Sequence, residues 1–178
     1  MSKFVNKILL EGEALNYLSQ EVELHSSGNR KDYTTWLHSQ AKEIKIVSYK
    51  TLDIADLIDK SLKTINPQLK GCFTTAYKTT LKIPGVEYVE GRGNYNGIPF
   101  IEHGWNIYKG QHFDLTAEIL FKGKMFRDQI AIIQLDKSTM NELANDLGFM
   151  GPFTQAYYYK HVLKQWDEKT IERLQTIL

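Results

Sequence analysis

The chain has a single cysteine, Cys72, which follows a glycine in the run Lys70-Gly71-Cys72-Phe73-Thr74-Thr75-Ala76. The thiolate is the reactive form of cysteine. The run reads as a helix start, where the positive end of the dipole and unpaired backbone N–H groups favour a thiolate. Cys72 is therefore a candidate nucleophile. On this run alone it fits better as a small buried hydrophobe, the usual role of a lone cysteine.

The second chemistry-bearing stretch is Ile101-Glu102-His103-Gly104-Trp105, continuing to His112-Phe113-Asp114-Leu115-Thr116. If Lys109-Gly110 is the centre of a tight turn, residues whose numbers sum to 219 face each other. Asp114 then faces Trp105, and Thr116 faces His103. Alternate residues share a face of a strand, so His103, Trp105, His112 and Asp114 all point the same way. Asp114 becomes the diagonal neighbour of His103, within reach of it. A carboxylate there can hold one imidazole nitrogen and leave the other to act as a base. His112 shares that face. It reads either as an alternative base or substrate contact, or as an exposed strand histidine beside the turn. Cys72, His103, His112 and Asp114 could in principle gather around zinc, but no Cys-x-x-Cys or His-x-x-x-His pair is present, and no metal or other cofactor is expected.

Gly71-Cys72-Phe73-Thr74-Thr75-Ala76, then Glu102-His103-Gly104-Trp105, then Phe113-Asp114-Leu115-Thr116 resemble, in order and spacing, the transglutaminase-like, papain-like superfamily of cysteine hydrolases. The resemblance covers about residues 68–120. Leu115 stands where many relatives carry proline. The likeness implies a Cys-His-Asp triad of Cys72, His103 and Asp114, with the cysteine on a helix packed against an antiparallel sheet. It implies covalent chemistry: His103 takes the proton of Cys72, whose sulfur attacks an acyl carbon, typically of an amide. Asp114 would orient His103, and the Cys72 backbone N–H would help hold the oxyanion. Gln68, four residues before Cys72, is a candidate side-chain donor to that oxyanion, as are Gln40 and Trp36. Trp105 and His112 are candidate substrate contacts, with Trp105 also fitting as a pocket wall or core residue.

These groups need elements to position them. Apolar spacing predicts helices over residues 4–24 and 52–65, and a third from about 70 to 81, ended by Pro84-Gly85. Residues 31–48 are ambiguous: Trp36-Leu37 suggests a short helix, and residues 44–47 a strand or helix tail. Four strands follow, at residues 86–90, 98–108, 111–120 and 127–135. The segment Gly91-Arg92-Gly93-Asn94-Tyr95-Asn96-Gly97 reads as a turn between the first two. Helices return beyond residue 136, capped by Thr139 with Glu142 or by Asp136, then over residues 153–163 and 167–178. On an outer helix Tyr157, Tyr158 and Tyr159 cannot all face inward. Helices, then strands, then helices make an α+β fold. About four antiparallel strands pack against the cysteine-bearing helix. A core of about residues 66–136 carries helical additions at 1–65 and 137–178, in one domain.

Composition bounds the function. With 22 basic and 21 acidic residues the net charge is +1, and scattered charges leave no nucleic-acid footprint. One cysteine excludes an intrachain disulfide scaffold. Ile8-Leu9-Leu10 is broken at once by Glu11 and Glu13, which fits neither a signal-peptide core nor a membrane span. The expectation is a soluble, cytoplasmic protein with a protein or peptide substrate and no membrane partner. Two classes stand. One is a thiol peptidase, amidase, deamidase or acyl transferase. The other is a non-catalytic interaction or inhibitor protein on the same fold, with Cys72 structural.

Overall fold

The computed structural model describes residues 29–95, 98–121 and 129–177; the helix expected over residues 4–24 lies outside them. In chain order the elements are α1 (Asn29–Gln40), β1 (Lys42–Ile44), β2 (Ile46–Val47), a 3-10 turn (Tyr49–Thr51), α2 (Ala55–Ile65), α3 (Cys72–Lys82), β3 (Val86–Tyr95), β4 (Ile98–Tyr108) and β5 (Gln111–Phe113). Then come α4 (Leu115–Leu120), β6 (Gln129–Leu135), α5 (Lys137–Leu147), α6 (Thr154–Tyr157) running into a π turn (Tyr158–Val162), and α7 (Glu168–Ile177).

The fold is α+β, as the order of elements predicts, but its sheet is larger and mixed. Six strands lie in the order β1-β6-β3-β4-β5-β2. All neighbours are antiparallel except β2 and β5, which run parallel. The two extra strands come from the ambiguous stretch before α2. They are only three and two residues long, too short for a period of two to announce them.

Two further expectations are corrected. Residues 91–95 of the expected turn are strand instead; β3 continues through them to Tyr95. Gly91 sits where a Cβ would lie 1.8 Å from the Ile130 carbonyl oxygen and 2.8 Å from the Trp105 ring. The glycine therefore answers to close packing within the sheet. Asn96-Gly97, the expected hairpin centre, lies outside the described residues. The third strand stops after three residues, and Leu115–Leu120 is helical. Asp114 causes the switch, because its carboxylate accepts the Ala117 N–H at 2.9 Å and caps the new helix. Thr116 therefore does not face His103 across a ladder.

The β4–β5 hairpin itself follows expectation. Lys109 and Gly110 both have positive φ, 47° and 78°, as a tight two-residue hairpin turn requires. The register pairs Asn106 with Phe113, Ile107 with His112 and Tyr108 with Gln111. At the start of α5 the cap is Asp136, which accepts the Thr139 N–H at 2.7 Å. Of the tyrosine run, Tyr158 is buried and its two neighbours are partly exposed.

Helix α3 lies against the sheet along a face of small residues, Thr75, Ala76, Thr79 and Thr80, all buried. Small side chains let the helix come close to β4. Buried Asn106 of β4 secures it, donating to the Ala76 carbonyl and to Thr80 Oγ1, each at 3.0 Å. Met140, Leu143 and Leu147 of α5 join Tyr88, Leu135 and Phe153 in the largest apolar cluster. On another part of the sheet Val89, Trp105 and Ile107 pack with Ile44, Ile46 and Ala131. Among the described residues no helix is long and apolar enough to cross a membrane.

Candidate active site

The hairpin register puts Asp114 one step diagonally from His103, and the side chains meet. His103 Nε2 lies 2.6 Å from Asp114 Oδ2, with the two residues 3% and 1% exposed. The second carboxylate oxygen, Oδ1, is the one that caps α4. Both oxygens of Asp114 are thus engaged, and the helix cap fixes the direction from which it approaches the imidazole. Burial alone would drive the His103 pKa down. The Asp114 charge and hydrogen bond outweigh it, with Cys72 also contributing, and raise it to about 10. The buried pair is held with His103 as the imidazolium.

Cys72 completes the arrangement: it stands close enough to His103 to help hold the imidazole in its charged form. Cys72 is the first residue of α3 and is partly exposed. The residue before it, Gly71, supplies no side-chain cap, and the first amides of any helix lack an intrahelical acceptor. Donors of that kind suit an oxyanion forming next to the sulfur.

The approach of α3 to the sheet depends on Gly104. A Cβ there would fall 2.8 Å from Phe73 Cδ1 and 3.1 Å from Phe73 Cα. No larger residue lets the helix start lie this close to the strand beside His103.

The other candidates fall into different roles. Trp105 is 1% exposed, and its indole N–H donates to His112 Nδ1 at 3.1 Å. Its ring stacks near His103, with centroids 5.9 Å apart and planes 21° apart. Trp105 is a wall for the histidine, and its polar atom is already engaged. His112 accepts that bond and is half-buried, which lowers its pKa; it is a neutral partner of Trp105, while His103 takes Asp114. Gln68 is exposed in the turn ahead of Cys72, where its carbonyl accepts the Gly71 N–H at 3.0 Å. Trp36 belongs to an aromatic cluster with Tyr33, Tyr157 and Tyr158. Gln40 is exposed at the end of α1 and donates to Ser39 Oγ. No cluster of three or more potential metal ligands occurs among the described residues.

Sequence reasoning missed a second buried carboxylate nearby. Glu90 of β3 is 2% exposed and lies directly across from Gly104. It accepts bonds from the Tyr88 hydroxyl, the Phe153 and Thr154 backbone amides and Thr154 Oγ1. Burial raises its pKa, and these four donors oppose the rise. Glu90 also lines a cavity of about 90 Å³ with Phe73, Glu102, Tyr33, Pro152 and Gln155, among others. Residues of this cavity neighbour both Cys72 and His103 in the chain. Alternation along β3 could not have revealed Glu90, since Tyr88 and Val89 are both fully buried and the strand is covered on both faces.

No protein-family model, no curated protein and no solved structure matches the chain.

Proposed function

We propose that the protein is a cysteine hydrolase or acyl transferase acting on an amide of a protein or peptide. Cys72 is the nucleophile, His103 the acid and base, and Asp114 the group that orients and charges His103. One observation carries the reading: a buried imidazole bound to a carboxylate at 2.6 Å has beside it a cysteine at a helix start, close enough to raise its pKa. The resemblance to the transglutaminase-like, papain-like superfamily agrees with this reading.

The chemistry is written from the resting pair. An imidazolium beside the sulfur favours the thiolate. The sulfur attacks the amide carbon, forming a C–S bond and an oxyanion facing the first amides of α3. Collapse breaks the C–N bond, and His103 gives its proton to the departing amine. Water or a second amine then attacks the thioester while His103 takes its proton, and the C–S bond breaks. Water yields hydrolysis, and an amine yields transfer.

The test is the rate at which iodoacetamide alkylates Cys72 as a function of pH, for the native chain and for His103→Ala. The reading expects a rate that stays high down to about pH 6 and collapses in the variant. A slow rate that follows an ordinary thiol and ignores His103 would make Cys72 structural and favour a binding role.

A further inference from the structure

The second buried carboxylate has no part in the chemistry above, yet it lies beside it. Glu90 faces Gly104 across the β3–β4 ladder. The place that Gly104 leaves open is filled by Phe73, the residue after the nucleophile. Phe73 is held from a second side by Gly151, where a Cβ would come within 3.2 Å of Phe73 Cβ and 3.3 Å of Glu90 Oε1. Gly151 has a φ of +100°, a conformation that suits glycine. It begins the segment Gly151-Pro152-Phe153-Thr154, which follows α5 in the chain and leads into α6.

Glu90 fastens that segment. Its carboxylate collects the backbone amides of Phe153 and Thr154, the Thr154 hydroxyl at 2.5 Å and the Tyr88 hydroxyl. Four donors on one buried carboxylate make a rigid joint, since each would be costly to leave unpaired. Pro152, Thr154 and Gln155 from the same segment wall the cavity beside Phe73.

The geometry points to Glu90 as a positioning residue for Cys72. By pinning the Gly151–Thr154 segment against Phe73 while Gly104 supports Phe73 from below, it sets where the first turn of α3 stands relative to His103. Misplacement by an ångström costs a reacting pair far more than it costs the fold. The inference rests on the proposed role of Cys72 and His103.

The experiment follows the pH profile of iodoacetamide alkylation at Cys72 in four forms of the full chain: native, His103→Ala, Glu90→Gln and Leu174→Ala. Leu174 is fully buried on α7 in the apolar cluster that also holds Tyr88 and Phe153, so its truncation weakens the packing around Glu90 while removing none of the carboxylate's four bonds. The expected result is a native rate that is high and dependent on His103. Glu90→Gln should lower the rate at pH 7 by about tenfold or more and move its profile to higher pH, while Leu174→Ala leaves the profile in place. If Glu90→Gln does not fold, Thr154→Val removes one donor and keeps the backbone bond; a loss of about threefold with the same profile shift is then expected. A native profile retained in the Glu90 or Thr154 variant overturns the positioning role and leaves the triad standing. Equal slowing by Leu174→Ala also overturns it, as general loosening. A native rate that is slow and indifferent to His103 overturns the triad, and the inference with it.

Discussion

Two buried carboxylates flank the start of α3, and they are satisfied in opposite ways. Asp114 is 1% exposed and answers a cation, His103, with a helix amide on its other oxygen. Glu90 is 2% exposed and answers four neutral donors. Burying a charge is costly unless it is paired and hydrogen-bonded. The first pair stores a proton next to a sulfur, where chemistry can use it. The second stores none that a substrate could reach and ties a distant segment to the sheet. Similar residues at similar depth thus do different work because of what surrounds them.

The sharpest way to break this comparison is to remove each acid. Asp114→Ala leaves a buried imidazole without its partner, at the cost of its proton or of an unpaired charge, and uncaps α4. It should cost about 3–5 kcal/mol in denaturant unfolding. Glu90→Ala strands neutral donors, some of which water can reach through the adjoining cavity, and should cost less, about 2–3 kcal/mol. Equal costs would mean that the cation beside Asp114 contributes nothing special.

The pH dependence of stability separates the two sites further. His103 keeps its proton in the folded chain up to about pH 10, against an ordinary value of 6.5. Its contribution is fully present below pH 6.5 and is lost as pH rises through about 10. Glu90 has a folded pKa raised above 4.5. Folding therefore gains from its protonation at the acid end, and that gain is lost as pH climbs from 4.5 through the raised value. Stability measured by denaturant across pH should fall in two separate windows. Asp114→Asn should abolish the upper one, and Glu90→Gln the lower.

The contrast also explains what the sequence discloses. The Asp114 site is made of contacts within one hairpin. Lys109-Gly110 sets the register, strand parity selects the face, and an eleven-residue separation suffices to bring His103 to Asp114. The Glu90 site joins residues more than 60 positions apart in the chain, and no local period encodes such a meeting. The same reasoning covers the sheet. β3, β4 and the hairpin carry readable patterns, whereas β1 and β2 are too short to have one and exist because β6 and β5 offer edges to them. The α4 segment reads as strand because its apolar residues Leu115, Ala117 and Leu120 suit either state; the local signal that decides is Asp114, an N-cap residue whose carboxylate takes the Ala117 N–H.

Gly104 lies between the two sites, and a methyl group there should disturb both. Gly104→Ala brings a Cβ within 2.8 Å of Phe73 Cδ1 and 3.1 Å of its Cα. The ring can rotate away, but the backbone of α3 has to shift. The expected loss is about 1–3 kcal/mol, read by thermal or denaturant unfolding, with slower alkylation of Cys72 than that loss alone explains. Slowing in proportion to stability would mean that the height of α3 over the strand does not govern the sulfur.

The smallest effect on the His103 proton is expected where the site is only walled. Trp105→Phe keeps an aromatic ring beside His103 and removes one indole N–H, the donor to His112 Nδ1. His112 is only half-buried, so water can replace the lost donor at a cost of about 1 kcal/mol, and the smaller ring leaves a void beside Gly91 that should cost about 1–3 kcal/mol more. The proton on His103 depends on Asp114, so the upper pH window should stay where it is while the His112 resonance in an NMR titration moves. A shift of the His103 window in this variant would mean that the ring stacked 5.9 Å away tunes the imidazole directly, and Trp105 would then join Asp114 in charging the site.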